Sequence, residues 1–401
     1  MRVLHLVKTT RGAGFVLRQV RALRRLGVEI TVALPSASDG LAPRYAEAGA
    51  EVIAADLDVD ARAPWRLPAA LARCRQVVAA VRPDVIHSHF VSTTLVARLA
   101  LGHAHPVPRV FQVPGLLHLE HALFRRLDLA TAGPADVWVG CCEAIAEAYR
   151  RAGVPPERAL RSYYGLELAG FGGAARGGFR RAIGVGATTP LVGMVGYMYR
   201  PKWYLGERRG VKGHEDLLEA IALVREVRPE VRAVIVGGAW DGAEDYEREL
   251  RRRAGRGVVF TGDLPDTRPV YADLDVAVQP SRSEGLPNAT VEALASGCPV
   301  VATAVGGLPD FVRDGATGWL VPPADPVRIA NAILEALADR AEAGRRAASG
   351  RTLVTRLLAV DRTAAEIAAL YARIGGRSRA AVGGNAAAAA PRPGHPHGAP
   401  A

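Results

Sequence analysis

Lysine is almost missing from this chain. Of the 51 basic residues among 401, only Lys8, Lys202 and Lys212 are lysine, and the other 48 are arginine. With abundant Ala, Gly and Arg, this reads as drift toward GC-rich codons. An ammonium is a compact point charge and a guanidinium a broad planar fork. Lysines that survive such drift therefore mark positions where an ammonium is needed. Cysteine is scarce too. Cys141 and Cys142 are adjacent, while Cys74 and Cys298 lie far from them. Four so placed exclude a disulfide framework and offer no zinc or redox spacing, which fits a reducing cytoplasm. Long apolar runs are also lacking. The opening run ends at Val7, too short for a signal peptide. The longest uncharged stretch, Ala182 to Tyr199, holds four glycines and a proline and makes a poor membrane helix. There are no internal repeats beyond an α/β likeness of two halves.

What is present is ordinary in bulk. The chain is 49% hydrophobic and 23% charged, which excludes a disordered or fibrous protein. Its length suggests two domains. The formal charge of +11 points to an anionic partner: a phosphate-bearing substrate, a membrane surface or nucleic acid. Yet the arginines are spread along amphipathic stretches such as Arg18, Arg21, Arg24 and Arg25. That pattern describes a solvated helix face, and it lacks the clustered charge and stacking aromatics of a nucleic-acid binder. A peripheral membrane contact through arginine-rich helices stays open.

Periodicity predicts a βαβ opening. Val3 to Val7 is a buried strand, Lys8 to Gly14 a glycine loop, Phe15 to Leu26 an amphipathic helix and Glu29 to Leu34 a second strand. The alternation continues through strands at Glu51–Ala54, Asp84–His87, Arg109–Val113 and Val137–Gly140. Tyr163 to Gly165 and the glycine-rich Gly170 to Gly178 read as a linker. A second α/β half begins at Leu191 and carries strands at Arg232–Val236, Val258–Phe260, Val276–Val278 and Pro299–Ala302. A dehydrogenase is disfavoured, since Leu17 stands where the dinucleotide fingerprint needs its third glycine.

The strongest chemical signal lies between Gln279 and Gly307. After the strand ending at Val278 comes a loop with Ser281, Glu284 and Gly285, then Asn288 as an expected N-cap, and a helix from Ala289 to the stop at Gly297. A helix N-terminus offers unpaired N–H groups to a phosphate. Glu284 and Glu292 flank it. A carboxylate beside a phosphate site is electrostatically odd unless it binds hydroxyls. Glu292 suits the cis-diol of a ribose, and Glu284 the hydroxyls of a second sugar. A diphosphate between two polyols describes a sugar nucleotide. His87 and His89 form an H-x-H pair at a strand end with no third metal ligand in view, so a cleft-lining or capping role is preferred and no metal site is expected.

Here the chain resembles the retaining GT-B glycosyltransferases of family 4 (glycosyltransferase group 1). Glu284 and Glu292 have the spacing of that family's E-x7-E signature. The opening glycine loop, Asp84 to His89, Lys212 to Glu215, Val234 to Gly238 and Val305 to Gly307 fall in the family's order. The resemblance implies an α/β GT-B fold of two Rossmann-like, doubly wound domains facing across a cleft, the N-terminal one for the acceptor and the C-terminal one for the sugar nucleotide. The boundaries it suggests are 1–170 and 171–354, a C-terminal helix over 355–376 packing back on the N-terminal domain, and a disordered tail over 377–401.

The implied activity is a metal-independent transfer from a nucleoside diphosphate sugar, with UDP favoured, to an acceptor hydroxyl with retention, in the cytoplasm or at its membrane. No cofactor beyond the donor is implied. The acceptor would be a glycan, a lipid-linked sugar or a small metabolite. A sugar-nucleotide epimerase or hydrolase on the same architecture is the alternative. By the resemblance Glu284 contacts the donor sugar, Glu292 the ribose and Lys212 the diphosphate. Gly12 and Gly14 let the first loop approach the donor. Leu286, Asn288 and Ala289 line the loop and helix start, and Gly262 ends the strand whose following backbone meets the base.

Two departures matter. The family's Gly-Arg pair after the first strand of the second half is here Gly196-Tyr197, followed by an unusual segment, 198–211, with aromatics Tyr199, Trp203 and Tyr204. Arg200 or Lys202 is expected to replace the missing arginine. The family's His-Gly pair is here Pro114-Gly115, and His118, ahead of His121, is expected to take the histidine's place near the reacting carbon.

Overall fold

A computed structural model describes residues 1–59, 63–202 and 206–387. Among the described residues thirteen short strands form two sheets. The first contains β1 (Arg2–Leu6), β2 (Glu29–Leu34), β3 (Glu51–Ala54), β4 (Val85–Ser88), β5 (Arg109–Val113), β6 (Asp136–Gly140) and β7 (Ala159–Arg161), in the order β3-β2-β1-β4-β5-β6-β7. The second contains β8 (Leu191–Val195), β9 (Arg232–Val236), β10 (Val258–Gly262), β11 (Val276–Gln279), β12 (Val300–Thr303) and β13 (Trp319–Val321), in the order β10-β9-β8-β11-β12-β13. Pairing is parallel. Strands of such sheets are covered on both faces and so read as continuous apolar runs, as Val3, Leu4 and Leu6, fully buried, do in β1. In each sheet the strand order reverses once, between β1 and β4 and between β8 and β11. Ligands of open α/β sheets gather at the carboxyl ends of strands at such a reversal.

The chain divides into two compact units. The first comprises Met1–Gln112, Arg126–Val137 and the chain from Ala364 onward, and the second Val113–Arg125 and Trp138–Thr363. In the first, the helix Gly14–Arg25 buries Val16, Leu17, Val20 and Leu23 and ends before Gly27, which sits at φ +79°. Among the described residues three arginines depart from the expected solvated faces. Arg98 and Arg109 are buried on Asp128 and Asp136 in the first unit, and Arg180 is buried on Asp275 in the second.

The first unit also carries a fully buried line of polar rings. His5 on β1 lies opposite His87 on β4 in the sheet register, and His89 follows. His5 Nδ1 meets His89 Nε2 at 2.9 Å, and the Tyr371 hydroxyl, from the last helix (Val360–Ala387), bonds to His87 Nδ1 and lies 3.3 Å from His5 Nε2. Burial pushes His5 down to about 3 and holds His87 and His89 well below the usual range, so all three rings are neutral.

Several elements differ from expectation. Tyr163 and Tyr164 are buried, and the added Cβ of an alanine at Gly165 would stand 2.4 Å from Thr363 Oγ1. That stretch is therefore packed core, not a solvent linker. The edge strands β7 and β13 have three residues each, too few to show a period. The last helix runs to Ala387, past Gly376, because Ala380, Ala381, Ala386 and Ala387 favour helix without apolar periodicity. Trp203 and Tyr204 of the unusual segment, and residues 388–401 of the tail with His395 and His397, lie outside the described residues. Among the described residues no helix is long and apolar enough to cross a membrane.

The histidines set an acid limit. Below pH 6.5 the unfolded chain takes up protons that the folded rings refuse, so stability present above that pH is lost as pH falls toward 3. Each such ring would cost on the order of 1 kcal/mol per pH unit in that window. Urea midpoints at pH 7.5, 6 and 5 should fall steadily, and His5→Gln should flatten the slope. A midpoint constant from pH 7.5 to 5 would refute this account.

Candidate functional site

The second unit assembles a charged site at the reversal point of its sheet. The chain leaves β8 at Gly196, passes through the unusual segment and enters the helix His214–Val227 through Lys212 and Gly213. Gly213 is at φ +73°, and a Cβ there would lie 1.9 Å from the carbonyl oxygen of Pro280, just after β11. Only glycine permits both the left-handed turn and this approach. The contact fixes the start of the helix on the end of β11. Two of the residues singled out in the sequence meet there. Lys212 Nζ donates to both oxygens of Glu284, at 2.7 and 3.0 Å.

The loop bearing Glu284 is held from below and behind. Gln279 donates to Ser281 Oγ at 2.7 Å, and Ser281 Oγ donates to Glu284 Oε2 at 3.1 Å. Gly306 presses on the backbone of Glu284 so closely that a Cβ would stand 1.7 Å from its carbonyl oxygen. Ser283 donates to Glu120 at 3.0 Å, which ties the loop to segment 113–125. The Glu284 side chain is 9% exposed and that of Lys212 21%. The ion pair is thus mostly withdrawn from water, where its Coulomb energy is larger than at a surface. Burial pushes the adjacent His214 down to about 4, with the Lys212 charge acting the same way. The positive charge of this turn therefore rests on Lys212.

Glu292 lies one turn into the helix Asn288–Ala295. Its Oε2 accepts from Thr267 Oγ1 at 3.2 Å and from the Tyr271 hydroxyl at 3.3 Å. Burial, and then the charge of Glu292, raises the Tyr271 phenol well above its usual value. A carboxylate already serving two hydroxyls is chemically suited to a diol. Thr267 and Tyr271 went unread in the sequence. They sit one helical turn apart, a spacing shared by countless surface helices. Asn288 is not the cap that was expected. Pro287 occupies the cap position, Asn288 is the exposed first helical residue, and no side chain caps the helix. Proline's restricted backbone shifts the start by one residue. The Asn288 N–H turns back to the Leu286 carbonyl at 3.0 Å, and the next N–H groups of a first turn have no acceptor within their own helix. Leu286 and Ala289 are half-buried beside it, and Gly262 ends β10 at φ +72°.

The remaining candidates are placed otherwise. Arg200 is exposed and bound to Asp245 and to the carbonyl of Gly242. Lys202 is half-buried, and its backbone N–H donates to Glu207 at 2.8 Å. His118 is buried, with Nε2 2.8 Å from the Tyr149 hydroxyl, whereas His121 packs edge-on against Phe124. Gly12, at φ +74°, lies in the first unit in the loop after β1, and Gly14 is the first residue of the helix that follows. Lys8 sits in the same unit with its Nζ 5.4 Å over the Phe90 ring.

Residues 202–339 match the family described as glycosyl transferases group 1, and residues 12–165 a glycosyl transferase 4-like domain. A D-inositol 3-phosphate glycosyltransferase of Arthrobacter sp. (strain FB24) is 32% identical over 311 residues, 70% of this chain and 69% of its own length. The same-named protein of Acidothermus cellulolyticus is 31% identical over 62% of this chain, which spans 58% of that relative's length. Among solved structures, Anabaena HepE in complex with UDP superposes with a TM-score of 0.76 at 21% identity, covering 93% of this chain and 100% of that one. The two parallel-sheet α/β domains and this likeness identify the GT-B fold.

The close contact at Gly213 makes a prediction. Gly213→Ala should lower unfolding free energy by about 3 kcal/mol or more, since left-handed strain and a clash act together. Gly242→Ala, at φ +81° but with open space around its Cβ, should cost only about 1 kcal/mol. Chemical denaturation of both variants checks this, and equal losses would contradict it.

Proposed function

We propose that this chain, which belongs to the group 1 glycosyl transferases, moves a sugar from a UDP-linked donor to an acceptor hydroxyl with retention of anomeric configuration. The observation that carries the reading is the Lys212–Glu284 pair at the reversal point of the second sheet, beside an uncapped helix N-terminus. The family match favours transfer over the epimerase or hydrolase alternative. The UDP in the HepE complex is the reason for choosing uridine. The inositol phosphate in the relatives' names points to a polyol or glycan hydroxyl as acceptor.

The geometry suggests how donor binding would proceed. The diphosphate brings negative charge to the N–H groups at the start of the 288–295 helix and to Lys212. Lys212 then exchanges one anionic partner for another, from the Glu284 carboxylate to the phosphate. Glu284, released, accepts hydroxyls of the donor sugar. As the glycosidic bond breaks, charge grows on the leaving diphosphate, and Lys212 and the helix end stabilise it there. The acceptor attacks from the same face, and the departing phosphate oxygen takes its proton. Glu292 holds the ribose diol in place of Thr267 and Tyr271. In this reading side chains and a helix end supply all the positive charge the diphosphate requires, and no metal ion takes part.

The exchange is testable. Glu284→Gln should bind UDP at least as tightly as wild type, because the ammonium loses its competing anion, while transfer falls roughly a hundredfold or more. Full transfer by this variant would refute the role. Lys212→Ala should weaken UDP binding and turnover far more than Arg24→Ala does. In a thermal-shift series UDP should raise the melting temperature above GDP and ADP at equal concentration. NMR of the product's anomeric proton decides retention.

A further inference from the structure

Two large aromatic side chains stand half-exposed at the same end of the second sheet. Tyr197 is 42% and Trp240 40% exposed, although most rings of this unit are buried. They follow β8 and β9, and they are not carried on loose loops. The parallel pairing of those strands continues past their ends. Met198 N–H donates to Gly238 O at 2.9 Å, and Trp240 N–H to Met198 O at 3.1 Å. Met198 is fully buried in the core beneath. The ring centroids of Tyr197 and Trp240 lie 4.7 Å apart at 55°, and Tyr199 supports Trp240 at 6.1 Å. The result is a rigid aromatic step fastened to the sheet.

Its position relates it to the charged site. Gly196, which precedes Tyr197, approaches Gly237 so closely that a Cβ on Gly237 would lie 2.3 Å from Gly196 O. Gly237 N–H in turn donates to Gly262 O at 2.9 Å, so the ends of β8, β9 and β10 converge beside the step. Lys212 follows β8 as Tyr197 does, and Glu284 follows the neighbouring β11. The step and the ion pair therefore lie at the same carboxyl end of the sheet.

We propose that Tyr197 and Trp240 form a stacking platform for the nucleobase of the bound nucleotide. This rests on the reading of the second unit as the sugar-nucleotide site. With Lys212 and the helix end assigned to the diphosphate, Glu292 to the ribose and the backbone after Gly262 to the edge of the base, the face of the base is the part of the ligand still without a partner. It is a flat π-system that matches an exposed aromatic face. Stacking tolerates any base, so the platform supplies affinity, and the backbone at the converging strand ends is left to select the base.

Calorimetric titration of the full chain with UDP and with inorganic pyrophosphate tests this. Pyrophosphate carries the charge without the base. In Tyr197→Ala and Trp240→Ala the dissociation constant for UDP should rise roughly tenfold, about 1.4 kcal/mol, with pyrophosphate binding unchanged. Trp240→Phe should recover most of the loss. Unchanged UDP affinity in both alanine variants would overturn the platform alone. Equal weakening of UDP and pyrophosphate would also overturn it, because the aromatics would then be acting on the diphosphate. If wild type binds neither ligand, the donor-site reading fails and the platform falls with it.

Discussion

The second unit is organised by one ion pair between two strand ends. Lys212 and Glu284 are 72 residues apart in sequence, and each is brought to the other by backbone that tolerates no side chain. Gly213 seats the lysine's helix against Pro280, and Gly306 closes over the carbonyl of Glu284. An ion pair withdrawn from water is strong but sensitive to geometry, since desolvation offsets much of the Coulomb gain. Close backbone contacts supply that geometry. The pair also explains how opposite charges persist at a site proposed for an anion. In the proposed exchange the carboxylate holds the ammonium in place until a phosphate displaces it.

The lysines can now be read individually. Lys212 pairs with Glu284 at the carboxyl end of the second sheet. Lys8 rests over the Phe90 ring in the first unit, and Lys202 is tied through its backbone to Glu207. The net charge of +11 is a poor guide beside these local placements. Arg98, Arg109 and Arg180 serve as internal partners of buried aspartates, and most other arginines face solvent. The buried histidines of the first unit follow the opposite rule. They stay neutral, bonded to one another and to Tyr371, and they carry the last helix onto that unit's sheet.

Long elements with a clear period were legible. β1, β2 and the Gly14–Arg25 helix appear where the apolar spacing puts them, and so do β8, β9 and β12 within a residue. β7 and β13 were not, since an edge strand of three residues is stabilised by pairing that lies outside its own sequence. The stretch Tyr163 to Gly165 looked like a linker because its glycine and polar hydroxyls resemble loop composition. Gly165 packs directly against Val360 and Thr363, almost 200 residues away. The start of the 288–295 helix was placed one residue late, because capping statistics favour asparagine while the local geometry is governed by Pro287.

Sequence alone determined the class of architecture and singled out the two carboxylates and Lys212 as candidates. Hydrophobic period and motif spacing are local properties that survive without a fold. Only tertiary structure decided which groups meet. It paired Lys212 with Glu284, set Thr267 and Tyr271 on Glu292, turned Arg200 toward Asp245 and raised Trp240 beside Tyr197. These partners come from strands and helices far apart in the chain. Their meeting is set by strand order and by close backbone packing, neither of which leaves a local mark on sequence.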